Sequence, residues 1–101
     1  MVVVTASARL KPEARDGALA AGKRMQEVSS AEPGCHEYGF WVAIDDPNRM
    51  FVFERWEDQA ALDTHLAKPH VAEFAAAIAG ALEAAPEVTR LEIASAGPLG
   101  Y

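Results

Sequence analysis

A chain of 101 residues and 10.8 kDa is the size of one domain. Fifteen acidic residues against nine basic ones give a net charge of −6 and a pI near 4.9, which disfavours nucleic acid and acidic membrane surfaces as partners, since both select basic patches. A 50 % hydrophobic, 24 % charged composition is ordinary for a globular domain, and a single cysteine excludes an internal disulfide.

MVVVTASARL opens with three valines and reads as a strand over 2–10, broken by Lys11-Pro12. Pro12 suits the first turn of a helix, predicted over 13–31, with Ala14, Ala18, Ala21, Met25 and Val28 as its apolar stripe and Gly22 as a weak point. Pro33-Gly34 stops it. Residues 35–44 form a second strand, Asp45-Asp46-Pro47-Asn48 a turn, and residues 49–57 a third strand. Asp58 is placed to cap a helix that runs to about Ala67. Lys68-Pro69 interrupts it, and a second piece over 70–84 carries Val71, Phe74, Ile78 and Leu82 on one stripe. Residues 87–95 form a fourth strand, followed by a tail. No apolar run approaches the roughly 20 residues of a membrane span. No basic segment followed by an apolar core opens the chain, so a leader is not expected and a cytoplasmic location is the default.

The order β-α-β-β-α-β predicts a ferredoxin-like α+β domain, a four-stranded antiparallel sheet with helices on one face. With a four-residue hairpin loop, Tyr38, Phe40, Val42, Phe51, Phe53 and Arg55 would share one face. Gly39, Trp41, Met50, Val52, Glu54 and Trp56 would share the other. Both faces are largely apolar and helices cover only one, so the second is expected to meet another copy of the chain.

Cys35 and His36 are neighbours on a strand and point to opposite faces, so they cannot form a nucleophile–base pair; Cys35 reads as a small apolar residue. His65 lies beside Leu62 and Leu66, within reach of the space between helix and sheet. It could abstract a proton near neutral pH or serve as a hydrogen-bonded core histidine. His70 opens a helix after Pro69, where the helix dipole favours the neutral ring. Glu54 stands in an apolar strand and is expected either to pair with an arginine such as Arg9 or Arg90 or to have a raised pKa. Three histidines without H-x-x-x-H or cysteine pairs do not point to a metal, and His65 and His70 are not expected to share a helical face. No phosphate-binding glycine loop or nucleophile elbow is present.

A-E-P-G-C-H-E-Y at 31–38 and F-E-R-W-E-D-Q-A-A-L-D-T-H-L-A-K-P-H-V at 53–71 resemble the antibiotic biosynthesis monooxygenase family over nearly the whole chain. The resemblance implies a dimeric α/β barrel with a pocket between sheet and helices in each subunit. It implies oxidation of a quinol-like or polycyclic phenolic substrate by O2 without a cofactor. His65 would be the base or an orienting group, and Tyr38, Glu54 and Trp56 would border the pocket or support its wall. Phe40, Trp41, Phe53 and Phe74 would contact substrate, with His70 at the mouth. Haem-degrading relatives need an asparagine on the first strand, but the only asparagine here is Asn48, and their ligand histidine falls at about Ala75. An isomerase or lyase of a small oxygenated metabolite, or a ligand-binding module without catalysis, would need the same lining.

Overall fold

Branched side chains at Val2, Val3 and Val4 start the first strand, β1 (Val2–Arg9), in a computed structural model that describes residues 1–100. A 3-10 turn at Pro12–Ala14 leads into α1 (Arg15–Ser29), followed by β2 (Cys35–Ala43), β3 (Asp46–Trp56), α2 (Gln59–Leu66), α3 (Pro69–Ile78) and β4 (Glu87–Glu92). The sheet is antiparallel with strand order β2-β3-β1-β4. This is the ferredoxin-like arrangement, with the second helix divided in two. Met25 of α1, Leu62 of α2 and Val71 and Phe74 of α3 pack against Val2, Tyr38, Val52 and Trp56, so all three helices cover one sheet face. Tyr101, the end of the expected tail, lies outside the described residues.

The first helix is shorter than 13–31, and its buried stripe is Ala18, Gly22, Met25 and Ser29. Gly22 is a contact, not a weak point: a Cβ there would lie 3.2 Å from the Phe40 ring, so the missing side chain lets α1 approach the sheet. The helix stops at Ser30, whose hydroxyl donates to the Gln26 carbonyl at 2.6 Å. Gly34 then turns the chain with φ +81°, a conformation that costs other residues about 1–2 kcal/mol. A Cβ at this position would also lie 2.7 Å from the Ala61 Cβ of α2.

The hairpin corrects the predicted faces. The turn is Ile44-Asp45, β3 begins at Asp46, and a bulge between Val42 and Ala43 absorbs the extra residues. Tyr38 therefore faces Glu54 rather than Arg55, and Phe40 faces Val52. Tyr38, Phe40, Met50, Val52, Glu54 and Trp56 lie under the helices. Gly39, Trp41, Phe51, Phe53 and Arg55 lie on the open face, joined by Val3 and Leu91. The physical reason is the period of two in a strand: one residue of register exchanges every side chain.

Asp58 caps α2, its carboxylate accepting from the Ala61 N–H at 2.9 Å. The last helix ends at Ile78, short of 84, because backbone bonds to the end of β1 take over: Lys11 N–H donates to the Ala81 carbonyl at 2.8 Å and Glu83 N–H to the Arg9 carbonyl at 2.9 Å. At the start of β2 the register shifts between Cys35 and Glu37. Cys35 packs against the core while His36 pairs with Glu57 outside. Burial, then the charges of Glu32 and Glu54, push the Cys35 thiol up to about 11.

Gly34→Ala should destabilise the fold by about 2 kcal/mol or more, read as a lower denaturation midpoint at unchanged slope. An unchanged midpoint would mean that the loop relaxes freely. Cys35 should alkylate slowly at pH 8 in the folded protein and faster as pH climbs towards 11; full modification within the time needed for free cysteine at pH 8 would contradict the protonated thiol.

Candidate active site

The split between α2 and α3 shapes the site. Lys68 takes an extended conformation before Pro69, as a residue preceding proline must. The new helix therefore starts along a different line, and His70 folds back towards His65, with ring centroids 5.8 Å apart. Both rings meet the carboxylate of Glu32, in the loop that follows α1. His65 Nδ1 lies 2.6 Å from Glu32 Oε2, and His70 Nε2 lies 2.9 Å from the same oxygen. The separation of five residues that argued against a shared helical face is overcome by the helix break itself.

His65 is 2 % exposed and stacks on Trp56, with centroids 4.6 Å apart and planes at 35°. Tyr38 tilts against it at 5.5 Å. The Glu32 carboxylate accepts from Nδ1, which assigns the ring N–H to that side and leaves Nε2 as the acceptor. Nε2 lies on the side of Glu54, 3.9 Å from Oε1, which is beyond a hydrogen bond. Glu54 is held by Trp56, whose indole N–H donates to Oε1 at 3.0 Å. Burial pushes the Glu54 carboxyl up, partly offset by the Trp56 hydrogen bond and by His65. Burial, reinforced by Glu54, also raises the Tyr38 phenol, which keeps it protonated at neutral pH.

Glu54 does not pair with an arginine. Arg9 instead pairs with Asp46. Arg90 faces the cavity and donates to Gln59 Oε1 at 3.2 Å. Burial and an indole N–H thus take the place of the expected ion pair.

Between the helices and the covered sheet face lies a cavity of about 380 Å3. That volume falls within the roughly 300–1,000 Å3 of small-molecule sites. Tyr38, Glu54 and His65 line it at one end, Phe40 and Phe74 along its floor and roof, and Gln59 and Arg90 at the β4 edge. Trp56 is fully buried behind the wall and acts as support. Trp41 and Phe53 are on the open face, away from the cavity, for the register reason given above. His70 is not at the mouth; it lies beyond Glu32 and borders a separate groove of about 190 Å3 between α1 and α3.

Sequence reasoning missed Glu32 as a site residue. Its signal was present: an acidic residue directly before the Pro-Gly that stops α1, in the same block of sequence as Tyr38. What the linear text hides is that this loop returns beneath α2, where Gly34 touches Ala61.

Residues 1–77 match the family described as "Antibiotic biosynthesis monooxygenase". A Bacillus subtilis protein, "Putative monooxygenase YcnE", is 30 % identical over 93 residues, covering 92 % of this chain and 98 % of that protein. A Synechocystis protein, sll1783, is 34 % identical over 73 residues, or 72 % of this chain, which spans half the length of that relative. The solved structure of Rv0793 from Mycobacterium tuberculosis superposes with a TM-score of 0.89 at 29 % identity, covering 96 % of this chain and 98 % of that one. The chain belongs to the antibiotic biosynthesis monooxygenase family.

Proposed function

We propose that the protein is a cofactor-independent monooxygenase that oxidises a quinol-like or polycyclic phenolic substrate with O2. The observation that carries this reading is His65. It is buried and fixed through Nδ1 by Glu32, and its Nε2 is turned towards an apolar cavity large enough for an aromatic molecule. The family supports the same class of reaction.

The chemistry follows from that geometry. A phenolic substrate gives a proton to His65 Nε2 and becomes an electron-rich anion. The anion passes one electron to O2, and the resulting radical pair closes a carbon–oxygen bond. The O–O bond of the peroxide then breaks as the remaining C–H proton leaves that carbon, and the outer oxygen departs as water with this proton and the one returned by the protonated His65. Over the cycle an activated CH2 and O2 become C=O and H2O; the carbon gives up four electrons and O2 accepts them. Glu32 stabilises the imidazolium that forms, because its carboxylate already accepts from Nδ1. The apolar walls keep water from the intermediates.

The assembly belongs to the same proposal. Trp41, Phe51 and Leu91 are 49 %, 39 % and 44 % exposed on the open sheet face, beside Val3 and Phe53. A second copy packed face to face would remove this patch from water, in the arrangement the family resemblance implies.

With reduced quinones and anthrones as a panel, the metal-free protein should consume one O2 per substrate oxidised and place one oxygen atom from O2 in the product. His65→Ala should slow that reaction by about 10²–10⁴-fold. No oxygen uptake with any member of the panel, or an alanine variant as fast as wild type, overturns the assignment. In solution the protein should have a mass of about 22 kDa, twice the 10.8 kDa chain. A stable monomer at micromolar concentration in light scattering would remove the case for a sheet-to-sheet dimer.

A further inference from the structure

We infer that Glu32, His65 and His70 form a binding site for a divalent transition-metal ion of the zinc class, set behind the cavity wall. Three observations converge on it. The first is ligand geometry: a carboxylate oxygen, His65 Nδ1 and His70 Nε2 lie within 4.8 Å of one another. The two ring nitrogens reach one shared point, the Oε2 position, at 2.6 and 2.9 Å. Two imidazoles and one carboxylate are a donor set that zinc and neighbouring divalent ions accept, at about 2.0–2.2 Å per bond. A small withdrawal of the Glu32 carboxylate makes room.

The second is charge. The side chains of Glu32 and Glu54 are 8 % and 11 % exposed, and among the described residues their only ion-pair partners are His65 and His70. Two buried carboxylates with no arginine or lysine paired to them form a site that lacks positive charge. Buried charges are stable when paired or when they bind a metal.

The third is support and access. A histidine bound to a metal through one nitrogen donates from the other to an outer carboxylate. Glu54, fixed by Trp56, stands 3.9 Å from His65 Nε2, short of a hydrogen bond but close enough for a small closing movement to make it that acceptor. The site also has approaches that avoid the substrate cavity. His70 borders the groove between α1 and α3, and Glu32 borders a second hollow beside Pro33 and Lys68.

The site would control the proposed reaction, a consequence that rests on His65 being its base. A metal on Nδ1 moves the ring proton to Nε2, and Nε2 then donates instead of accepting. Metal binding and proton abstraction exclude each other on one ring. An ion in the outer grooves would switch the cavity off without entering it.

The test uses the chelator-stripped 101-residue chain titrated with zinc chloride by calorimetry, without substrate. Wild type should bind one zinc per chain and melt at higher temperature with zinc. His70→Ala and Glu32→Gln should each weaken binding by at least about tenfold, as loss of one ligand demands. His36→Ala, which alters only the surface pair with Glu57, should bind as wild type does. His70 is partly exposed, so its alanine variant should fold; if circular dichroism shows that it does not, the isosteric Glu32→Gln decides. No saturable zinc binding, or binding lost in His36→Ala and kept in His70→Ala, overturns the proposal. Binding is read without substrate, so failure of the oxidation assay leaves this result standing, and absence of zinc binding leaves the oxidation reading intact.

Discussion

The register between β2 and β3 is the constraint on which the site depends. Tyr38 opposite Glu54 puts the phenol, the carboxylate and, two residues on, the Trp56 indole under the helices. A shift of one residue would place Arg55 and Phe53 there and turn Glu54 into solvent. The bulge at Val42–Ala43 sets this register, and the Ile44-Asp45 turn leaves no room for the longer loop. A hairpin turn twenty residues before His65 in the sequence thus decides what His65 faces.

Much of the fold was legible because its signals are local. Valine runs, Pro12, the Pro33-Gly34 stop, the Asp58 cap and the Lys68-Pro69 break each act within a few residues, and each marks a real boundary to within a few positions. Helix ends were less legible where the deciding bonds are distant. Nothing near Ile78 says that Lys11 and Arg9 will capture the next carbonyl and amide. The residues assigned to the two sheet faces depended on a loop length that turn chemistry alone leaves open by one residue.

The site divides in the same way. His65 was found from helical periodicity, and Tyr38, Glu54, Phe40 and Phe74 reach the cavity with it. Trp41 and Phe53 went to the other face with the register. His70 moved from the mouth to the back because a helix restarted at a proline does not continue the old line. Glu32 was hidden because a loop residue has no periodicity to betray it; only tertiary packing brings it to two imidazoles. Glu32, His65 and His70 come from three separate segments and meet at one oxygen atom.

The roof of the cavity has a different character from its floor. The β3 floor contributes Met50, Val52 and Trp56 to the buried core, whereas α3 contributes no fully buried residue and is joined to α2 through an extended Lys68. The free energy needed to open a segment follows the apolar contacts it would lose. Among these elements, α3 is therefore the cheapest to lift while the sheet stays intact. A molecule too wide for the resting opening would enter by local displacement of this one helix, with the sheet and its buried side chains left in place.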